Sequence, residues 1–213
     1  MSEHPRGIPF VVAAPSGTGK TTVCLALREG DPRLMFSVSH TTRPRRPAER
    51  EGVDYHFVSS GEFQRLIAAG AFLEWAIYNA NHYGTSWKAI ERPLAEGIDV
   101  LLEIEVQGAR QVRRRLADAR LIFLLPPSKA ALVRRLEGRA TDTAEQVAAR
   151  LQTAQRELEA VEEFDYAVVN DDLARCVANL REIIAAERAG ATSELRRRFT
   201  PRAAAAGLRE ELN

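Results

Sequence analysis

The run Ala14-Pro15-Ser16-Gly17-Thr18-Gly19-Lys20-Thr21 separates an apolar segment from a helix-forming one, and its residue types suit the polyphosphate of a nucleotide. Gly17 and Gly19 let backbone N–H groups turn inward around phosphate oxygens, and a helix starting near Lys20 adds the positive end of its dipole. Lys20 reaches the β and γ oxygens, and Thr21 offers a hydroxyl to Mg²⁺. The triphosphate-lining stretch extends from Ala14 to Thr22. The general pattern G-x-x-x-x-G-K-[ST] has glycine where this chain has Ala14. The competing interpretation, a glycine turn beside a surface lysine, is disfavoured by the strand–loop–helix setting. Such a loop specifies a nucleoside triphosphate and leaves the phosphoryl acceptor open.

A second constellation lies downstream. Ser39-His40-Thr41-Thr42-Arg43-Pro44-Arg45-Arg46-Pro47-Ala48-Glu49, then Gly52-Val53-Asp54-Tyr55-His56-Phe57, gathers arginines and a tyrosine in a short irregular segment. Forked guanidinium groups and a phenol suit a phosphate monoester. Further along, Arg135 and Arg139 are four apart and share a helix face, with Arg150 after a break at 138–142. Long basic residues on helices are ordinarily solvated, so spacing alone leaves these three, like Arg134, as surface residues. His4, His40, His56 and His82 lack metal-ligand spacing, and neither zinc nor acid–base chemistry is assigned to them. Trp75 and Trp87 follow the second constellation in the chain and suit either stacking on a base or core packing.

Elements able to position these groups alternate. Apolar, β-branched runs at 8–14, 35–38, 100–104, 121–125 and 166–169 are mostly separated by helical patterns, the signature of a parallel sheet flanked by helices. Segment 39–87 breaks the alternation as an inserted α+β lobe, with a capping box at Ser59-x-x-Glu62 and a strand at 72–78. Segment 132–153 reads as a small helical lid, and 191–213 as a solvated helical or frayed tail. The core is then 1–38, 88–131 and 154–190. Cys24 and Cys176 fall within helices, away from disulfide or metal spacing, and suit small buried residues in a reducing compartment.

Hydrophobic residues make up 45% of the chain and charged residues 28%, values of a globular protein. Lysine plus arginine (30) balances aspartate plus glutamate (29), so no global field recruits nucleic acid or anionic membrane. The first hydrophobic stretch is far short of the ~20 residues of a membrane span. A soluble cytoplasmic protein is expected, with neither nucleic acid nor membrane as partner and its oligomeric state open.

The segment at 39–57 closely resembles T-T-R-x-x-R-x-G-E-x-x-G-x-D-Y-x-F of guanylate kinases, a family whose phosphate loop also takes the form A-P-S-G-x-G-K-[ST]. The resemblance continues in order through Phe72-Leu73-Glu74-Trp75, Tyr83-Gly84-Thr85-Ser86, Leu102-Glu103-Ile104-Glu105-Val106-Gln107-Gly108, Leu136-Glu137-Gly138-Arg139 and Val169-Asn170-Asp171-Asp172, and covers residues 8–188. It implies an α/β P-loop NTPase core with a mostly parallel five-stranded sheet, a GMP-binding lobe and a lid. It also implies ATP as co-substrate, Mg²⁺ as cofactor and GMP as acceptor, with dGMP left open.

Residue by residue, the resemblance implies that Arg43, Arg46, Tyr55 and Tyr83 hold the GMP phosphate, while Ser39, Glu74 and Thr85 read guanine. Lys20, Arg43, Arg135, Arg139 and Arg150 become the cations that stabilise the transferring phosphoryl group, and Asn170 contacts adenine unless it is only a turn and cap residue. A carboxylate at 74 accepts from guanine N1–H and the 2-amino group together, whereas adenine offers neither donor. The alternative for Glu74 is an exposed charge on an amphipathic strand. Two departures stand out: Ala48 replaces the family's glycine, and Glu103-Ile104-Glu105 replaces a frequent Asp-x-Asp. One of that pair contacts guanine or metal-bound water, their division of roles being open, and ion pairing is the alternative for Glu105.

Three rival functions follow. A kinase for a sugar phosphate would lose Glu74, Tyr83 and Thr85, and a peptide-binding scaffold would lose Gly17, Gly19 and Lys20. Nucleic-acid binding through Arg196-Arg197-Arg198 would be independent of Mg·ATP.

Overall fold

The structure, a computed structural model, describes residues 6–78, 80–137 and 144–212. In chain order its elements are β1 (Pro9–Ala13), α1 (Lys20–Arg28), β2 (Leu34–Phe36), β3 (His40–Thr41), β4 (His56–Phe57) and α2 (Ser60–Ala68). Then come β5 (Phe72–Tyr78), β6 (Asn81–Ser86), α3 (Glu91–Ala95), β7 (Asp99–Glu103), α4 (Val106–Arg115) and β8 (Arg120–Leu125). The chain ends with α5 (Lys129–Glu137), α6 (Ala144–Glu159), β9 (Tyr166–Val169), α7 (Leu173–Ala189), α8 (Ser193–Arg198) and α9 (Pro201–Leu212). Two compact units form: one from the residues up to Val11 with Pro32–Ala119, the other from Val12–Asp31 with Arg120 onward.

The apolar runs become a five-stranded sheet in the order β2-β7-β1-β8-β9, with β2 parallel to β7 and β8 parallel to β9. Every residue of β1 is buried, as are the last five of β8. Helices flanking a parallel sheet exclude water from both faces of its inner strands, so those strands read as continuous apolar runs instead of alternating ones. In the second unit α1 buries Val23, Cys24 and Leu27 against α7, whose Cys176, Val177, Leu180, Ile183 and Ile184 are buried in turn. Both cysteines are buried and neither is in a disulfide, and burial pushes the Cys176 thiol up to about 12, leaving it a neutral packing residue.

The first unit contains a separate four-stranded sheet, β4-β3-β6-β5, built wholly from residues 40–86. The Ser59 half of the expected capping box forms: its Oγ accepts the Glu62 N–H at 3.1 Å and opens α2, while the Glu62 carboxylate pairs with Arg65. Gly70, at φ 64°, follows the helix end and turns the chain toward β5.

Of the two readings of the tail the helical one forms, but packed instead of solvated. Residues 193–212 form α8 and α9, which bury Leu195, Phe199, Ala205 and Leu208. α9 packs on β9, α5 and α6, and the Phe199 carbonyl accepts the Ala167 N–H at 2.9 Å. Pro201 at the first position of α9 resets the helical phase between these apolar pairs, and alanine contributes little to a hydrophobic pattern, so no continuous face is visible in the sequence.

The basic triplet is partly neutralised within that packing. Glu187, with a side chain only 3% exposed, accepts from Tyr166 Oη (2.5 Å), Arg120 Nε (2.5 Å) and Arg196 Nη2 (3.2 Å). Arg198 pairs with Glu182 at 2.8 Å. Burial pushes the Glu187 carboxyl up, but the bonds from Tyr166 and Arg120 outweigh it and hold the group below its usual range. A depressed carboxyl stabilises the fold above its unfolded value of about 4.3, and that contribution is lost as pH falls through the folded value. Glu187→Gln is expected to lower stability at pH 7 by about 2 kcal/mol. The gap to wild type should close below about pH 4. Thermal melts of both proteins between pH 3 and 7 check this, a gap independent of pH being the contrary result.

Candidate active site

In the second unit the glycine loop leads directly into α1. Gly17 and Gly19 adopt φ values of 88° and 94°, the left-handed region that side chains other than glycine's rarely enter. The Thr18 N–H donates to the Pro15 carbonyl at 3.1 Å, which tightens the turn. Gly19 is the N-cap of α1, so Lys20, Thr21 and Thr22 form its first turn, where N–H groups have no intrahelical acceptor. Thr21 and Thr22 are exposed and Lys20 is half-buried. Ala14, where the general pattern has glycine, is buried without positive φ, so the substitution meets no backbone strain.

Three of the residues singled out far along the chain converge on this loop. Arg135 Nη1 donates to the Thr18 carbonyl and its Nη2 to the Asn170 carbonyl, both at 3.0 Å. Asn170 is buried, and its Nδ2 donates to the same Thr18 carbonyl at 2.7 Å. A Cβ at position 19 would stand 2.9 Å from that nitrogen, a second reason for glycine there. Arg150 Nη2 donates to Ser16 Oγ at 2.8 Å. Arg135 is thereby separated from its exposed neighbour Arg134, a distinction the helical spacing leaves undecided. Arg139 and the break at 138–142 lie outside the described residues. Glu157, which sequence reasoning missed, accepts the Ser16 N–H at 3.3 Å. Leu132 and Leu136 of α5 pack with Ala154 and Leu151 of α6 behind these contacts.

In the first unit a carboxylate is buried on the lobe sheet. Glu74 is 3% exposed, which excludes the surface-charge alternative, and its Oε1 accepts the Thr85 N–H at 2.9 Å. Thr85 Oγ1 lies 3.2 Å from Ser39 Oγ, so Ser39, Thr85 and Glu74 form one connected polar group. Tyr83 lies two residues before Thr85 on β6, hence on the same face and about 7 Å away. Its ring meets that of Tyr55 edge-on at 6.0 Å between centroids, and the Arg43 guanidinium lies 5.5 Å from the Tyr55 centroid. The lobe thus carries hydroxyls and a buried carboxylate in one group, and a guanidinium with two phenols in another.

Glu49 organises the cationic end and was not singled out from sequence. Its Oε1 accepts from Arg43 Nη2 at 2.6 Å, and its Oε2 accepts the Arg46 backbone N–H at 2.8 Å. The Glu49 bond pushes the Arg43 guanidinium further up, and Arg43 in turn holds the Glu49 carboxyl down, so both stay charged. Arg46 extends into solvent. Among the described residues Ala80 alone has a positive φ outside glycine, so Ala48 carries no left-handed strain. Glu103 ends β7 and Glu105 is the N-cap of α4, both half-buried.

The histidines described here are packing residues: His40 and His56 lie 4.8 Å apart between ring centroids, and His82 packs on Phe63 at 5.1 Å. Burial, then His56, pushes the His40 imidazole down, so it stays neutral. His4 lies outside the described residues.

The guanylate kinase family profile matches residues 6–187. The chain is 49% identical over 189 residues to the guanylate kinase of Symbiobacterium thermophilum, covering 89% of this chain and 90% of that one. It is 51% identical over 184 residues to the enzyme so named from Neisseria meningitidis serogroup A, with 86% and 90% covered. The crystal structure of guanylate kinase from Anaplasma phagocytophilum superposes with a TM-score of 0.72 at 33% identity, covering 86% of this chain and 87% of that one. The profile spans most of the chain, and relatives about half identical cover most of both chains: the chain belongs to the guanylate kinase family.

Proposed function

We propose that this protein transfers the γ-phosphoryl group of ATP to GMP, giving ADP and GDP. The observation that carries the choice of acceptor is the buried Glu74 carboxylate, tied to Thr85 and joined to Ser39, in a chain that keeps the phosphate loop intact. Guanine presents N1–H and its 2-amino group side by side, and a carboxylate accepts both, while the Ser39 and Thr85 hydroxyls complete the edge. Arg43, Arg46, Tyr55 and Tyr83 hold the GMP phosphate, with Glu49 orienting the Arg43 guanidinium.

The phosphate loop and the first turn of α1 hold the ATP phosphates, with Lys20 on the β and γ oxygens. An oxygen of GMP's phosphate bonds to the γ-phosphorus as the bond to the β–γ bridging oxygen breaks. That nucleophile is already ionised, so the protein's work is positioning and charge stabilisation instead of proton removal. Arg135, Arg139 and Arg150 supply cationic charge from the segment proposed as a lid, and Asn170 holds the loop beside the adenine subsite. Among the described residues no cluster of three or more His, Cys, Asp or Glu has metal-holding geometry. The exposed Thr21 hydroxyl is a hard oxygen donor that fits Mg²⁺, an ion that keeps waters and takes its remaining ligands from nucleotide phosphates. When bound it would neutralise charge on those phosphates. One of Glu103 and Glu105 would contact its water shell or guanine.

No helix among the described residues is long and apolar enough to cross a membrane, and a cytoplasmic location accompanies this reading. The test is ADP production with Mg·ATP and a panel of GMP, dGMP, AMP, UMP, CMP and ribose phosphates. Rapid turnover on GMP and none on the sugar phosphates is expected. Turnover confined to a sugar phosphate would return Glu74 to a structural role, and none on any acceptor would favour a binding scaffold.

A further inference from the structure

The position of Glu74 is set from one face of α4. The pairing of β5 with β6 shifts between Phe72, opposite Ser86, and Glu74, opposite Thr85, so Leu73 is an extra residue in the strand. Such a bulge bends the strand, re-aims the side chain beside it and takes carbonyl groups out of the ladder. Arg115 Nη1 donates to those carbonyls, Phe72 at 2.7 Å and Leu73 at 2.6 Å. On the other side of Glu74 the Gln111 amide brackets Trp75, donating to its carbonyl at 2.6 Å and accepting its N–H at 3.3 Å, as a neighbouring strand would.

Gly108 completes that face, since positions 108, 111 and 115 follow helical spacing. A Cβ at 108 would stand 2.3 Å from Glu74 Oε2 and 3.1 Å from its Cδ. Glycine is a poorer helix former than alanine, so helix propensity gives no reason for it in the first turn of α4, and its φ is not positive. The adjacent carboxylate does give a reason. Because Oε1 is already held by Thr85, a methyl group at 108 would swing the carboxylate out of line with the Ser39 and Thr85 hydroxyls.

We propose that Gly108 is a specificity-positioning residue, whose missing side chain reserves the space in which the Glu74 carboxylate is aimed at the base. This rests on Glu74 as the guanine acceptor. Gly108→Ala is expected to raise KM for GMP by about 10–100-fold. KM for ATP should stay within about twofold of wild type.

The test is a double-mutant cycle of Gly108→Ala with Glu74→Ala, with Glu74→Gln measured alongside. If Gly108 acts through Glu74, adding Gly108→Ala to Glu74→Ala changes nothing further, because the truncated side chain at position 74 presents no carboxylate to displace. An additive loss in the double variant, or wild-type GMP kinetics for Gly108→Ala beside an impaired Glu74→Gln, would overturn the role of Gly108 alone. Normal GMP kinetics for Glu74→Gln would overturn the reading of Glu74 itself. Should Gly108→Ala not fold, a folded double variant still traces the clash to Glu74, and an unfolded one refutes it.

Discussion

Lys20→Ala is expected to lower kcat by about 10²–10³-fold or more while the protein stays folded, the loss expected when one preorganised donor is removed from developing charge. Lys20 is the first residue of α1, and alanine is at least as good a helix former, so the helix and its buried Val23, Cys24 and Leu27 survive. The loop keeps its shape for an independent reason. Its Thr18 carbonyl is held by Arg135 and Asn170, and its conformation depends on Gly17 and Gly19, none of which involves the lysine side chain. What disappears is a cation at the β and γ oxygens, where charge redistributes during transfer. Circular dichroism should overlay wild type, and turnover at saturating GMP and ATP gives the loss. Wild-type kcat in the variant would take Lys20 out of the chemistry.

The parts of this molecule legible in its sequence are those whose chemistry is local. A strand ending in a glycine loop before a helix requires only neighbours in the chain, as does the Ser59 and Glu62 cap, and both form where the residue types place them. Arginines were legible as a class and not individually. Arg134 and Arg135 are adjacent and alike, and what distinguishes them is which side of α5 meets the Thr18 and Asn170 carbonyls. The tail hid its packing because its apolar face is split by a proline and partly made of alanine. Glu49 was visible as a residue but not as the group that pairs with Arg43 and accepts the Arg46 backbone N–H, since a turn between positions 43 and 49 must first bring them together. The bulge at Leu73 is the plainest case. An uninterrupted period of two puts Glu74 and Ala76 on one face and Leu73 on the other, yet Phe72, Leu73 and Glu74 are all buried, because an extra residue and a helix covering the strand remove the alternation.

Glu74→Gln should invert a preference instead of simply weakening binding. The amide is nearly isosteric with the carboxylate, and its oxygen can keep the Thr85 N–H bond now made at 2.9 Å, so the lobe sheet is retained. The other atom changes from acceptor to donor. It then faces guanine N1–H and the 2-amino group, donor against donor, at a residue that is itself only 3% exposed. Loss of the negative charge also weakens whatever hydrogen bonds remain, charge-assisted ones being roughly twice as strong as neutral ones. A site built to satisfy specific polar groups rejects a mismatched partner by about 10⁴-fold, so kcat/KM for GMP is expected to fall by about 10²–10⁴-fold. Adenine moves the other way, because its N1 accepts and its 6-amino group donates, which an amide can match. The kcat/KM for AMP should therefore rise relative to GMP, while KM for ATP, set in the other unit, stays near wild type. Measuring both acceptors at saturating Mg·ATP separates this from general damage, which would lower the two together. An unchanged ratio of GMP to AMP would mean that the buried carboxylate serves the lobe's packing and that the base is read elsewhere.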